Sequence, residues 1–394
     1  MFARRTNWKL EENAYTRALR LHKESGKPVL DLTASNPTTC GFDYDQHAIV
    51  AALQTPASLP YDPEPKGLGL ARAAVVGYYA ARAPALHVDP ENLILTTGTS
   101  EAYAFLFRLL CEPGDEIVIA QPSYPLFEFL ATIQDVRLRP FRLLYDHGWQ
   151  IDFHALRQAI TGRTRAILLV HPNNPTGHFI RREEADQLQS ICAEGKLALV
   201  VDEVFLDYRL PDVSNRSPAY GSFASNNRAL TFLLSGLSKV AALPQMKVAW
   251  IAASGPDALV REAMARLEII SDTFLSLSAP LQYALPALLA QRARMQPQLL
   301  RRVGGNLQRL DESLARQKLV SRLEIEGGWY VVLRIPAVQS DEDFAIRLLE
   351  RHGVLIQPGH FYEFPQEGYL VASLLTPGGD FDKGISAVLA CAAG

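Results

Sequence analysis

Short apolar runs alternate with amphipathic stretches over most of the chain. Residues 116–120, 136–143, 165–171, 197–202, 229–235 and 248–254 are rich in Ile, Val, Leu and Ala and short enough for strands. Between them, 70–83, 99–111, 153–160 and 181–193 carry apolar positions at helical spacing, and a further helix is expected after Pro125. A short strand over 92–96 precedes the 99–111 helix. This order predicts an α/β fold with a large, mostly parallel, seven-stranded sheet between helices. Ahead of it, 8–25 reads as a helix that ends near Gly26 and Pro28, followed by a strand running into a turn of Ser35, Asn36 and Pro37. The stretch from Leu210 to Asn227 is the longest polar interruption. After Ser278 come helices over 279–293 and 297–317, then strands over 323–326, 329–334, 353–357 and 369–373 with helices over 341–351 and 382–391, a smaller α+β layer. The expected division is an arm at 1–28, a large domain at 45–285, and a small domain made of 29–44 and 286–394.

Polar groups stand where three of these apolar runs end. Asn174 follows the 165–171 run, Asp202 closes the 197–202 run, and Lys239 follows Leu233-Leu234-Ser235-Gly236-Leu237-Ser238. The carboxyl edge of a parallel sheet is where open α/β folds bind ligands. Each residue alone has a plainer reading, since a lysine after a strand is commonly solvated and an aspartate commonly caps a helix. The Gly turn at 96–102 also has two readings. It offers an anion site at a helix start, or a capping box in which a hydroxyl residue and Glu101 satisfy the first turn.

Composition narrows the classes. The 394 residues carry 39 basic and 42 acidic side chains, a net charge of −3, with no basic stripe, so neither a nucleic acid nor a membrane is an expected partner. No run approaches the length of a membrane span, and the amino terminus lacks a signal-peptide core, which makes the cytoplasm the expected location. Cys40, Cys111, Cys192 and Cys391 lie far apart and read as reduced thiols; no histidine pair has metal-site spacing, so no metal is expected.

Taken together, Tyr61 before a Pro-Gly loop, the Thr-x-Gly-x-x-Glu-Ala turn at 96–102, Pro122-Ser123-Tyr124, Pro172-Asn173-Asn174-Pro175-Thr176-Gly177, Asp202-Glu203-Val204 and Ser238-Lys239 occur in an order that resembles the class I/II aminotransferases. These are fold type I enzymes dependent on pyridoxal 5'-phosphate, and the likeness spans essentially the whole chain. The resemblance implies that Lys239 forms the internal aldimine and shuttles a proton at the substrate Cα, and that Asp202 faces the pyridine nitrogen. It implies that Asn174 donates to the phenolic oxygen, that Tyr124 stacks on the ring, and that Thr99, Ser100, Ser238 and Ser235 hold the phosphate. Tyr61 is implied to reach the phosphate of a neighbouring subunit, hence a homodimer with shared active sites. The implied reaction moves an amino group from an amino acid donor to a 2-oxo acid acceptor through pyridoxamine phosphate. A lyase or decarboxylase on the same fold and a non-catalytic cofactor-binding regulator are the alternatives.

Three positions depart from the family pattern. Lys247 stands where an arginine usually meets the phosphate, which keeps the charge and loses the planar fork. Phe205 replaces a tyrosine that donates to the phenolic oxygen, so the imine is expected to hold its proton to higher pH. Val371 occupies the place of the arginine that binds the substrate carboxylate. Three explanations stay open: another cation, with Arg4 and Arg5 as candidates; Asn174 with backbone amides near Ser35 and Asn36; or a substrate with no carboxylate there. Glu363 and Phe364 are expected near the substrate, or else in an ordinary strand-to-loop connection.

Overall fold

The computed structural model describes residues 1–211 and 219–394, so the polar stretch expected at 210–227 lies partly outside the described residues. The apolar runs of the large sheet form the strands anticipated from their composition, whereas 323–326, expected as a strand, is irregular and the strand there is the preceding Ser321–Arg322. The first nine are β1 (Leu30–Asp31), β2 (Leu93–Thr96), β3 (Glu116–Gln121), β4 (Arg137–Tyr145), β5 (Trp149–Ile151), β6 (Thr164–Val170), β7 (Ala198–Asp202), β8 (Thr231–Gly236) and β9 (Ala249–Ser254). All but β1 join one sheet in the order β2-β9-β8-β7-β6-β3-β4-β5. From β8 through β7, β6 and β3 to β4 the pairing is parallel; β9 runs antiparallel to both β8 and β2. The sheet has eight strands rather than seven. The extra one is β5, a three-residue return along β4, too short to stand out as an apolar run.

The central strands show no alternation because helices cover both faces, so every side chain from Ala198 to Asp202 and from Thr231 to Gly236 is buried. The remaining strands are β10 (Ser321–Arg322), β11 (Tyr330–Arg334), β12 (Val354–Leu355), β13 (Gln357–Pro358) and β14 (Tyr369–Ser373). Four of them form a second sheet, β10-β11-β14-β13, while β12 pairs in parallel with β1.

Some element bounds differ from expectation for local reasons. The first long helix is Ala14–Glu24, not 8–25, because the Asn13 side chain accepts the Thr16 N–H and sets its start. The two long helices meet at Gln291, Ala279–Ala290 and Arg292–Leu314, with Pro297 inside the second rather than at its start. No single helix among the described residues is long and apolar enough to cross a membrane.

The two sheets are tied together close to the Asn174 loop. Glu326 N–H donates to Gly177 O at 3.3 Å, Phe179 N–H donates to Glu326 Oε2 at 2.9 Å, and Ser123 N–H donates to Tyr362 O at 2.9 Å. Gly177 has φ +68°, and a Cβ there would lie 2.5 Å from Gly327 O, so this junction needs glycine both for its backbone and for the approach. The chain after β1 is fastened to the end of β14: Ser373 N–H donates to Leu32 O (2.7 Å) and its hydroxyl to Ala34 O (2.5 Å), which fixes Ser35 beside the second sheet.

Candidate active site

Adjacent parallel strands β6, β7 and β8 deliver Asn174, Asp202 and Lys239 to one end of the large sheet. All three line a cavity of about 390 Å³, together with Thr99, Tyr124, Phe205 and Ser238 from the same side. Its opposite wall comes from the second sheet and the strap before it: Ser35, Tyr330, Gln357 and Tyr362.

Lys239 lies in the short helix Leu237–Val240 directly after β8. The turn is tight, since a Cβ on Gly236 would sit 2.8 Å from Ala249 Cβ and 2.9 Å from Val248 O. Tyr208 donates its hydroxyl to Lys239 O at 2.5 Å and holds the backbone. The ammonium group stands over the rings of Trp329, at 4.9 Å, and Phe205, at 5.6 Å. Burial pulls its pKa down to about 8, against the opposing pull of Asp202.

Asp202 is the last residue of β7 and 6% exposed. Its Oδ1 accepts the Val204 N–H at 3.0 Å, and its Oδ2 accepts the Tyr103 hydroxyl at 2.7 Å. Burial pushes the carboxyl up to about 6, while these two donors and Lys239 favour the charged form. Glu203, next in the strand direction, turns away and accepts from Ser222 Oγ and Phe223 N–H, both at 2.8 Å. Sequence reasoning missed Tyr103. It reads as one more apolar residue on the helix Thr99–Leu110, and only its contact with a residue 99 positions later reveals its use.

At the Gly turn Glu101 accepts the Thr97 N–H at 2.8 Å, but the N-cap is Gly98, which has no side chain to close a capping box. Gly98 O accepts the Glu101 and Ala102 N–H groups, which leaves the Thr99 and Ser100 amides at the helix start as the donors an anion could use. Lys247 ends on this turn, its Nζ about where a Gly98 side chain would begin, at 3.3 Å from that Cβ position. Asn174 is 7% exposed, and its amide oxygen has no hydrogen-bond partner. An acidic group at one end, an amine in the middle, amide and hydroxyl donors and a lysine at a helix start, and an unsatisfied amide between them fit pyridoxal 5'-phosphate.

Other anticipated residues lie elsewhere. Ser100 is exposed beside Thr99, and Ser235 is buried on β8 with an unpartnered hydroxyl; neither lines the cavity. Asn36 is exposed and its side chain accepts from Thr38, so of the Ser35-Asn36 pair only Ser35 reaches the cavity. Tyr61 is 83% exposed in a surface groove formed by 58–65 and 271–282. Arg4 and Arg5 are exposed, Arg5 pairing with Asp135, and neither approaches the cavity. Of the two readings open for Glu363 and Phe364, the structure favours an ordinary connection, since neither lines the cavity. Phe364 stacks on Tyr369 at 4.7 Å and packs near Trp149, Glu363 caps the turn Gly359–Tyr362, and Tyr362 is the residue of that segment that lines the cavity. Val371 is 1% exposed, packed within β14.

Known proteins resemble this chain over most of its length. The alanine aminotransferase of Mycobacterium bovis is 28% identical over 367 residues, covering 90% of this chain and 82% of its own length. The glutamate-pyruvate aminotransferase AlaA of Haemophilus influenzae is 25% identical over 352 residues, covering 87% and 85%. The alanine aminotransferase of Pyrococcus furiosus shares the fold, with a TM-score of 0.85 at 22% identity over 98% of both chains. Residues 27–376 match the family described as aminotransferase class I and II, and the chain therefore belongs to that family of fold type I transaminases.

Proposed function

We propose that the chain moves an amino group between an amino acid and a 2-oxo acid with pyridoxal 5'-phosphate held in the Lys239 cavity. The observation that carries this reading is the convergence of Lys239, Asp202 and Asn174 at the ends of three adjacent parallel strands. When bound, the cofactor supplies an electron sink for the charge released at the substrate Cα. Asp202 keeps a negative charge opposite the pyridine nitrogen, and the Tyr103 hydroxyl keeps that charge in place. Lys239 Nζ, with its pKa lowered to about 8, is suited to take the Cα proton and return it at the cofactor C4′. Asn174 fits the phenolic oxygen, and Tyr124 fits the face of the ring. In this reading Thr99 and Ser238 of the cavity would hold the phosphate at the positive end of the Thr99–Leu110 helix, with the backbone amide of the exposed Ser100 and the Lys247 ammonium beside Gly98 in support.

The same reading has 45–285 as the cofactor domain, 29–44 with 286–394 as the small domain and 1–28 as an arm. It has two copies sharing their active sites, with Tyr61 reaching the phosphate of its neighbour. In support, Leu59, Tyr61 and Leu275 are exposed and line one groove, an apolar surface that a second copy can cover. Cytoplasmic residence is in keeping with four free cysteines, three of them buried. The relatives' names put alanine, glutamate and pyruvate first among substrates to examine.

The deciding experiment adds single amino acids, without any oxo acid, to the purified cofactor-loaded protein while its absorbance is followed. Conversion to the pyridoxamine phosphate spectrum with release of the matching oxo acid supports the reading. An unchanged spectrum with accumulating ammonia or carbon dioxide overturns it in favour of a lyase or decarboxylase.

A further inference from the structure

Within one copy, the described residues of the cavity wall that faces Lys239 carry no charge. Among the described residues lining the cavity, only Asp202 and Lys239 are ionic, and both belong to the large-sheet side. The second sheet contributes Tyr330 and Gln357, and Ser35 and Tyr362 complete the wall. Register explains their placement. Gln357 of β13 lies directly opposite Val371 of β14, which in turn lies opposite Val332 of β11, and Tyr330 is two residues before Val332. Directly opposed residues, and residues two apart on one strand, share a sheet face, so Tyr330, Val332, Val371 and Gln357 all point to the same side. Of these four, the two apolar ones pack and the two polar ones reach the cavity. Ser35 pairs with the Tyr330 hydroxyl, and burial pushes Tyr330 up to about 12, so it stays a neutral donor.

We propose that the substrate's carboxyl group is received by this neutral wall, with the Gln357 amide as the specificity-determining donor, and not by an ion pair. The inference rests on the transaminase reading above and refines its substrate class: α-amino acids together with their uncharged amides and alcohols. A guanidinium rewards only a carboxylate, because a fork of charged donors is left unmatched by a neutral group. An amide and hydroxyls discriminate far less, since each can donate to a carboxylate, an amide oxygen or a hydroxyl.

The test uses cofactor-loaded protein and two ligands that have no Cα proton, 2-methylalanine and its amide, so that binding is read apart from turnover. Calorimetry is expected to give affinities for the acid and the amide within about tenfold of each other, with the acid's affinity changing less than about twofold between about 20 and about 500 mM salt. Gln357→Leu is expected to weaken both by about tenfold or more without moving the melting temperature beyond a degree or so. Preference for the acid by roughly a hundredfold with a steep salt dependence, unchanged binding in Gln357→Leu, or no binding of either ligand overturns the inference. Alanine and alaninamide, which keep the Cα proton, are run alongside. Failure of both to yield an oxo product while the 2-methyl ligands bind as expected overturns the transaminase reading and leaves the neutral wall standing.

Discussion

The hydroxyl of Tyr103 donates to Asp202 Oδ2 at 2.7 Å, and both groups are buried. The bond favours the ionised carboxylate and opposes the upward push of burial that brings Asp202 to about 6. Tyr103→Phe removes the donor, so the carboxyl rises further and is more often neutral near pH 7. Cofactor binding that needs the anion is therefore expected to weaken by roughly tenfold at pH 7, and its loss on acidification to begin at higher pH than in the parent. Titrating apoprotein with pyridoxal 5'-phosphate at several pH values checks this; parallel pH profiles for the two proteins would refute it.

Lys239 is expected to react as an amine with a pKa near 8. Below that pH its ammonium form predominates, and above it the free amine does, so the rate at which apoprotein captures pyridoxal 5'-phosphate rises through about 8 rather than through the 10.5 of an exposed lysine. Rapid-mixing absorbance gives the midpoint. Lys239→Ala should abolish the borohydride-stable adduct and cut turnover by about a thousandfold or more.

Lys247 should matter for the phosphate and for nothing else on the cofactor. Its ammonium lies against Gly98 at the helix start, so Lys247→Met is expected to weaken pyridoxal 5'-phosphate by about tenfold while leaving the affinity for pyridoxal, which has no phosphate, unchanged. Equal weakening of both ligands in parallel titrations would place the lysine in a structural role.

Asp341 carries a stability cost at neutral pH. It is 1% exposed; Oδ1 accepts from Gly368 N–H and Tyr369 N–H, while Oδ2 has no donor. Burial, with the nearby Glu367 charge adding to it, raises its pKa from 3.8 to about 6. A raised carboxyl favours the neutral form when folded, so the protein is unburdened below about pH 4 and loses stability as pH climbs from there to about 6. Asp341→Asn keeps the two bonds at Oδ1 and offers N–H groups to Glu367. We expect it to be more stable by roughly 1–3 kcal/mol at pH 7 to 8 and no more stable at about pH 4. Urea unfolding at both pH values measures the difference.

What was legible in the sequence follows from what is local. Asp202 and Lys239 each follow a run of buried strand residues, and although each alone has a plainer structural use, their recurrence with Asn174 at three strand ends points to one sheet edge. The site's outline could be read that way. Tyr103 and Gln357 could not: one sits in an apolar helix segment and the other between Ile356 and Pro358, and their roles arise from pairings across the chain. For Glu363 and Phe364 the sequence left two readings open, and the structure favours the ordinary connection, since Tyr362 at the end of the turn Gly359–Tyr362 lines the cavity and the next two residues do not. β5 escaped notice because three residues leave too short a pattern to detect.

The fastening of the two sheets at Gly177 and Ser123 makes the cavity a caliper. One jaw holds the reacting amine at Lys239, the other holds Gln357 and Tyr330, and the span between them is set by backbone bonds rather than by side chains free to adjust. Under the proposed reading, a donor would be gauged by the distance from its nitrogen to its polar head. Changing which amine is accepted would then be a matter of resetting the gap at the junction, with the lysine and aspartate left untouched.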